Sequence, residues 1–206
     1  MALHAASGIV TPQDAVNLLK EGNARFTADR RMYPHTGGDR RRETAEHGQH
    51  PIATVLSCSD SRVPVELLFD QGIGDLFVVR VPGNVCNDDE TGAVEYGVGH
   101  LHTPLCLVLG HTKCGAVTAV VRQDPLHGSL AKLVATIGEA VHDAKQETVQ
   151  IEGPDLVEAV ARANVRRTMA RLIAASAIVR EAVDSGNVKI AGAIYDIETG
   201  AVSWMD

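Results

Sequence analysis

Long hydrophobic runs are missing from this 206-residue sequence: no apolar stretch approaches the roughly 20 residues that cross a bilayer as a helix. Positive charge is also in short supply. The 19 Lys and Arg stand against 26 Asp and Glu, and the net −7 argues against a general nucleic-acid binder, whose basic face must offset phosphate. The opening residues, MALHAASGIVTPQDAV, lack a basic segment followed by an apolar core, so no secretory leader is expected. Only four cysteines occur, two of them close to Asp or His, which points to metal rather than a disulfide framework and to a reducing cytoplasm. Internal repeats, low-complexity tracts and a dividing linker are absent too. A hydrophobic content of 45% then fits one globular domain over residues 1–206, with an N-terminal helical arm over about 11–50.

What is present is an alternation of short apolar runs and helical tracts. Thr11 is placed to cap a helix, with Pro12 in its first turn and Asp14 at the positive end of the dipole. Ala15, Val16, Leu19 and Phe26 give that helix an apolar stripe as far as about Ala28. Residues 30–50 have no helical or strand period and read as a solvated loop with a short helix near 41–46, long enough to wrap around a partner subunit. Strands are expected over 52–57, 76–81, 105–110, 188–195 and 201–204. Helices are expected from Val63 to before Gly72, and over 89–102, 115–122, 129–146 and 155–184, the last broken near Ala175-Ser176. Strands separated by helices imply right-handed crossovers and a mostly parallel central sheet flanked by helices, an α/β fold.

Two segments directly follow strands: Cys58-Ser59-Asp60-Ser61-Arg62 and His111-Thr112-Lys113-Cys114. Neighbouring parallel strands would deliver both to one edge of the sheet. Two thiols, an imidazole and a carboxylate are the donors zinc prefers in a tetrahedron. Cys58 and Asp60 lie two apart and His111 and Cys114 three apart, so each pair shares a metal from a single turn. With all four ligands the site is closed; with water in place of Asp60 it is catalytic in form. A purely structural zinc is the rival reading. Against it stands Arg62, two residues from Asp60 and able to bind its carboxylate in fork geometry, which makes Asp60 a movable group.

The runs CSDSRVPVELLFDQGIGDLFVVRV, GAVEYGVGHL and LVLGHTKCGAV resemble the β-class carbonic anhydrases, which hydrate carbon dioxide reversibly to bicarbonate and a proton. The resemblance implies one Zn²⁺ per subunit held by Cys58, His111 and Cys114, with Asp60 and Arg62 as catalytic dyad and Asp60 a fourth ligand in a closed state. It implies a parallel sheet with an added C-terminal antiparallel strand. It also implies an intimate homodimer, or a dimer-based higher oligomer, with each pocket near the subunit interface. Gln49, nine residues before Cys58, matches a substrate-binding glutamine of the plant-type branch; Phe77 and Tyr96 match its pocket wall, and Gly115 a backbone donor beside the metal. Val55 stands where the allosteric branch carries Trp, which favours the non-allosteric type. Pro82 departs from the Ala of many relatives, at the pocket rim by the resemblance, and no effect is assigned to it.

The expected chemistry is attack of zinc-bound hydroxide on carbon dioxide held by Phe77, Tyr96 and Gln49, with Asp60 orienting the nucleophile. His100, four residues after Tyr96, shares its helical face, and an imidazole is the side chain suited to relaying the proton; a surface or interface role is the alternative. Gly72-Ile73-Gly74-Asp75 only imitates part of a dinucleotide fingerprint and reads as a turn. Cys106 reads as a small core hydrophobe, Cys86 as a loop thiol without a partner, and the Arg40-Arg41-Arg42 run as a solvated face or dimer contact. A carbonyl sulfide or carbon disulfide hydrolase on the same site, and a non-enzymatic zinc-stabilised module, remain open alternatives.

Overall fold

The computed structural model describes residues 10–147 and 150–205; the first nine residues, which include His4 and most of the stretch read for a leader, lie outside them. Five strands form one sheet: β1 (Ala53–Ser57), β2 (Leu76–Arg80), β3 (Leu105–His111), β4 (Lys189–Tyr195) and β5 (Val202–Met205), in spatial order β2-β1-β3-β4-β5. The first four run parallel and β5 turns back antiparallel along β4, so the α/β expectation holds. Side chains alternate across the sheet. Leu56, Cys106 and Val108 enter one core layer, and Val55, Leu105, Leu107 and Leu109 enter the other. Burial on both faces is why β1 and β3 read as unbroken apolar runs rather than alternating ones.

Helix α1 (Pro12–Thr27) has the expected cap, with Thr11 and Asp14 exchanging hydrogen bonds in a capping box. Helix α2 (Gly38–His47) buries none of its residues. The loop between them is pinned to the core by two buried carboxylates. Asp70 accepts from the Met32 and Tyr33 N–H groups and from Arg25 Nε at 2.6 Å, and Asp75 binds His35 and Arg40. Arg40 therefore turns inward, where the sequence suggested a wholly solvated or dimer-facing run. Helix α3 (Val65–Leu68) is a single turn, and Gly72 to Asp75 is indeed a turn leading into β2.

Two helical expectations need correction. The tract expected over 89–102 is α4 (Asp88–Glu95) followed by a π turn over Tyr96–His100, closed by Leu101 N–H to Tyr96 O. The wider turn brings Gly97 against the sheet, where a Cβ would lie 2.1 Å from Thr54 Oγ1. After α5 (Gly115–Arg122), the tract expected over 129–146 divides into α6 (Gly128–Leu133) and α7 (Ile137–Glu147). Between them the chain makes i to i−3 bonds through Val134, Thr136 and Ile137, β-branched residues that favour a helix less and here bury both Val134 and Ile137. The break near Ser176 is present: α8 (Gly153–Ala175) ends there, and Ser176 caps α9 (Ala177–Asp184). The last two strands begin one residue later than expected.

Candidate metal centre

Because β1 and β3 are adjacent and parallel, with Ser57 opposite Leu109, the chain leaves both at the same edge of the sheet. Residues 58–62 emerge from β1, and Thr112 and Lys113 turn into Cys114 just ahead of α5. One donor atom each from Cys58, His111 and Cys114 lies within 4.8 Å of the others, and all three residues are buried. The two sulfurs stand 4.0 Å apart and unbonded. His111 Nδ1 lies 2.9 Å from the Thr112 carbonyl, which only accepts, so Nδ1 carries the proton and Nε2 presents a lone pair. That Nε2 is buried without a hydrogen-bond partner, a costly state that a metal ion would relieve.

The sulfur electrostatics agree. The Cys114 thiol beside the Cys58 sulfur, with the Gly83 and Asp60 backbone N–H groups, outweighs burial and holds the Cys58 thiol well below its usual range. The same contact, together with burial, pushes Cys114 up. The pair thus shares one proton around one negative charge. A divalent cation would take the place of that proton, and two sulfurs with one imidazole nitrogen suit zinc.

Beside this group, Arg62 grips Asp60 in the expected fork, Nε to Oδ1 at 3.0 Å and Nη2 to Oδ2 at 2.7 Å. The guanidinium holds the Asp60 carboxyl down to about 2. Arg62 also donates to the Lys113 carbonyl at 3.2 Å, tying the two ligand loops together. Asp60 Oδ2 lies 4.0 Å from His111 Nε2. Two contributors escaped the sequence reading. Arg80, at the end of β2, donates to the carbonyls of Cys58 at 3.1 Å and Asp60 at 2.6 Å. Gly83, in a 3₁₀ turn over Pro82–Asn84, donates its N–H to Cys58 Sγ at 3.3 Å. A cation ending the apolar run LFVVR was the available signal for the first; nothing local marks the second. Pro82 opens that turn, where its missing N–H leaves no bond unmade.

Gly115 follows Cys114 directly and is exposed, with no atom within 4 Å of where a Cβ would stand. The other expected pocket residues lie elsewhere in the protomer. Phe77 and Tyr96 pack with ring centroids 5.6 Å apart, and Tyr96 stacks on His100 at 4.7 Å. Phe77 is level with Thr54, four residues or about 13 Å of strand before Cys58. Gln49 is exposed on the segment entering β1, at the end away from the ligands. Cys106 is an inert buried thiol, pushed up to about 12 by burial, and Cys86 is buried beside Thr91. Cavity size does not mark the centre: a cavity of about 730 Å³ between α5 and the start of α8 takes in Lys113 but none of the three donors.

A family model for carbonic anhydrase matches residues 53–202. The fold is similar to the β-carbonic anhydrase CafA of Aspergillus fumigatus, with a TM-score of 0.75 and 26% identity over 94% of this chain and 90% of that one. The chain belongs to the β-class carbonic anhydrase family. Carbonic anhydrase 2 of Mycobacterium tuberculosis is 37% identical over 92% of this chain and 90% of its own length. The carbonic anhydrase of Mycolicibacterium smegmatis is 35% identical over 93% and 92%. This carbonic anhydrase hydrates carbon dioxide, and its Cys58, His111 and Cys114 form the Cys2His metal site typical of the zinc enzymes of the family. Among the described residues, no helix is long and apolar enough to cross a membrane.

Proposed function

We propose that Asp60 and Arg62 are the catalytic dyad of this enzyme, which works as a single domain with one zinc per subunit on Cys58, His111 and Cys114. The observation that carries this is the Arg62 fork, which leaves an ionised carboxylate 4.0 Å from the bare Nε2 of His111. Zinc, when bound, supplies the Lewis acidity that makes a nucleophile of water near neutral pH. Asp60 accepts a hydrogen bond from the attacking oxygen and turns a lone pair toward the carbon of carbon dioxide. Gly115, exposed directly after Cys114, offers its N–H to the substrate or product oxygen. Release of Asp60 from Arg62 would let its carboxylate reach the metal and close the site.

Gln49, Phe77 and Tyr96 bind substrate in this reading, and their distance from the ligands of their own chain requires a second copy. A homodimer, alone or within a larger oligomer, sets these groups of one protomer against the metal centre of the other. The exposed Tyr96 and Tyr33, and the free edge of β2, support such an interface. His100, stacked on Tyr96, then passes the proton outward. The plant-type, non-allosteric branch follows from Gln49, Phe77, Tyr96 and Val55, and the reducing cytoplasm suits two unbonded ligand thiols. Stopped-flow carbon dioxide hydration on zinc-quantified protein tests the dyad. Asp60→Asn should keep its zinc and lose about 10²-fold in kcat/KM, the scale of a positioned acid–base group; wild-type rates in that variant would remove Asp60 from the mechanism.

A further inference from the structure

Helix α8 carries two buried polar side chains one turn apart, Asn164 and Thr168, that the mechanism does not use. Both reach the same place. Asn164 Nδ2 donates to the Gly83 carbonyl at 2.7 Å, and Thr168 Oγ1 donates to the Asn84 carbonyl at 3.2 Å. The turn they grip has left-handed backbone at both residues, φ 74° at Gly83 and 43° at Asn84, a shape that persists where its surroundings over-determine it. It is also wedged: a Cβ on Gly83 would lie 2.8 Å from Ile137 Cδ1 and 3.3 Å from Ala116 Cβ. On its far side the Gly83 N–H meets Cys58 Sγ at 3.3 Å, one of two backbone donors to that sulfur.

We infer that Asn164, assisted by Thr168, is a positioning residue of the metal centre: from α8 it holds the Gly83 N–H on the Cys58 sulfur and so sets the affinity for zinc. Donors around a ligating sulfur aim its lone pairs and tune its basicity, and loss of such outer partners typically weakens metal binding about 10–100-fold. The inference rests on the Cys2His site and not on the roles of Asp60 or Arg62.

The test is zinc affinity of the metal-free, folded enzyme, measured by chelator competition, with the cobalt-substituted protein's sulfur-to-metal absorption band as a second readout. Asn164→Ala should bind zinc about 10–100-fold more weakly and shift the band. Thr168→Val should lose affinity several-fold, and Thr168→Ser, which keeps the donor, should restore it. Asn23→Ala is the control: Asn23 is also a buried Asn, donating to the Leu68 and Gly200 carbonyls, neither of which belongs to a residue hydrogen-bonded to a ligand sulfur. It should lower the melting temperature yet leave zinc affinity and the band unchanged. Wild-type affinity in Asn164→Ala, or an equal loss in Asn23→Ala, would overturn the inference. If Asn164→Ala does not fold, equal affinities in Thr168→Val and Thr168→Ser would do so. A wild-type enzyme that binds no zinc would instead strike at the metal site itself.

Discussion

Cys58 and Cys114 set two sulfurs 4.0 Å apart beside the His111 imidazole, and most of the chemistry at the residue scale follows from that. Substituting either ligand leaves one sulfur and one imidazole, too few for a tight zinc site. Cys114→Ser should therefore lose most of its zinc, read by metal analysis of the purified protein, and hydration activity with it. Asp60 gives the pH behaviour. Its folded pKa of about 2 lies below its ordinary 3.8, so its pairing with Arg62 contributes stability that is fully present above about pH 4 and is lost as pH falls toward 2. In the metal-free protein, the stability gap between wild type and Asp60→Asn should narrow over that window; a gap constant down to about pH 2.5 would mean the fork does not form in solution. At this scale the sequence was informative where spacing is short. Cys58, Asp60 and Arg62 fall within one turn, and His111 and Cys114 within another, so local order alone suggested their meeting.

Elements decide how far that local order carries. The tract before β3 holds Gly97 so close to Thr54 and Phe77 that a Cβ there would stand 2.1 Å from the first and 3.0 Å from the second, and the π turn exists to make that approach. Gly97→Ala should cost about 1–3 kcal/mol as an overpacked contact, seen as a lower denaturation midpoint. It should also lower activity through the displaced Tyr96 and His100; an unchanged midpoint would show that the turn shifts freely. Asp70 does comparable work for the arm. Burial opposes its ionisation, but the Met32 N–H, Arg25 and the Tyr33 N–H outweigh that and hold its pKa below the usual carboxylate value. Asp70→Asn, which gives up the charge but keeps the shape, should cost about 1–3 kcal/mol and speed proteolysis of the arm between α1 and α2. Neither the π turn nor the carboxylate anchors were legible beforehand, since helical period continues through Tyr96 and an isolated Asp after a helix looks like surface.

On the scale of the whole molecule, the five-strand order places two edges, β2 and β5, and leaves an aromatic group near the first of them. Sedimentation should find a dimer or a multiple of one, and Tyr96→Arg should lower both association and activity; an active monomer would exclude the shared pocket. The sequence by itself determined the fold class and brought forward Cys58, Asp60, His111 and Cys114 as candidate metal donors, because strand–helix alternation and donor spacing are short-range patterns; the resemblance to the β-class carbonic anhydrases singled out three of the four as zinc ligands. Only the tertiary structure decided what surrounds them. Arg80 reaches the Cys58 loop because β2 lies beside β1, and Asn164 reaches Gly83 because α8 packs across the sheet. Such contacts join residues 22 and 81 positions apart, and they depend on strand order and helix packing, for which no local pattern in the chain provides a sign.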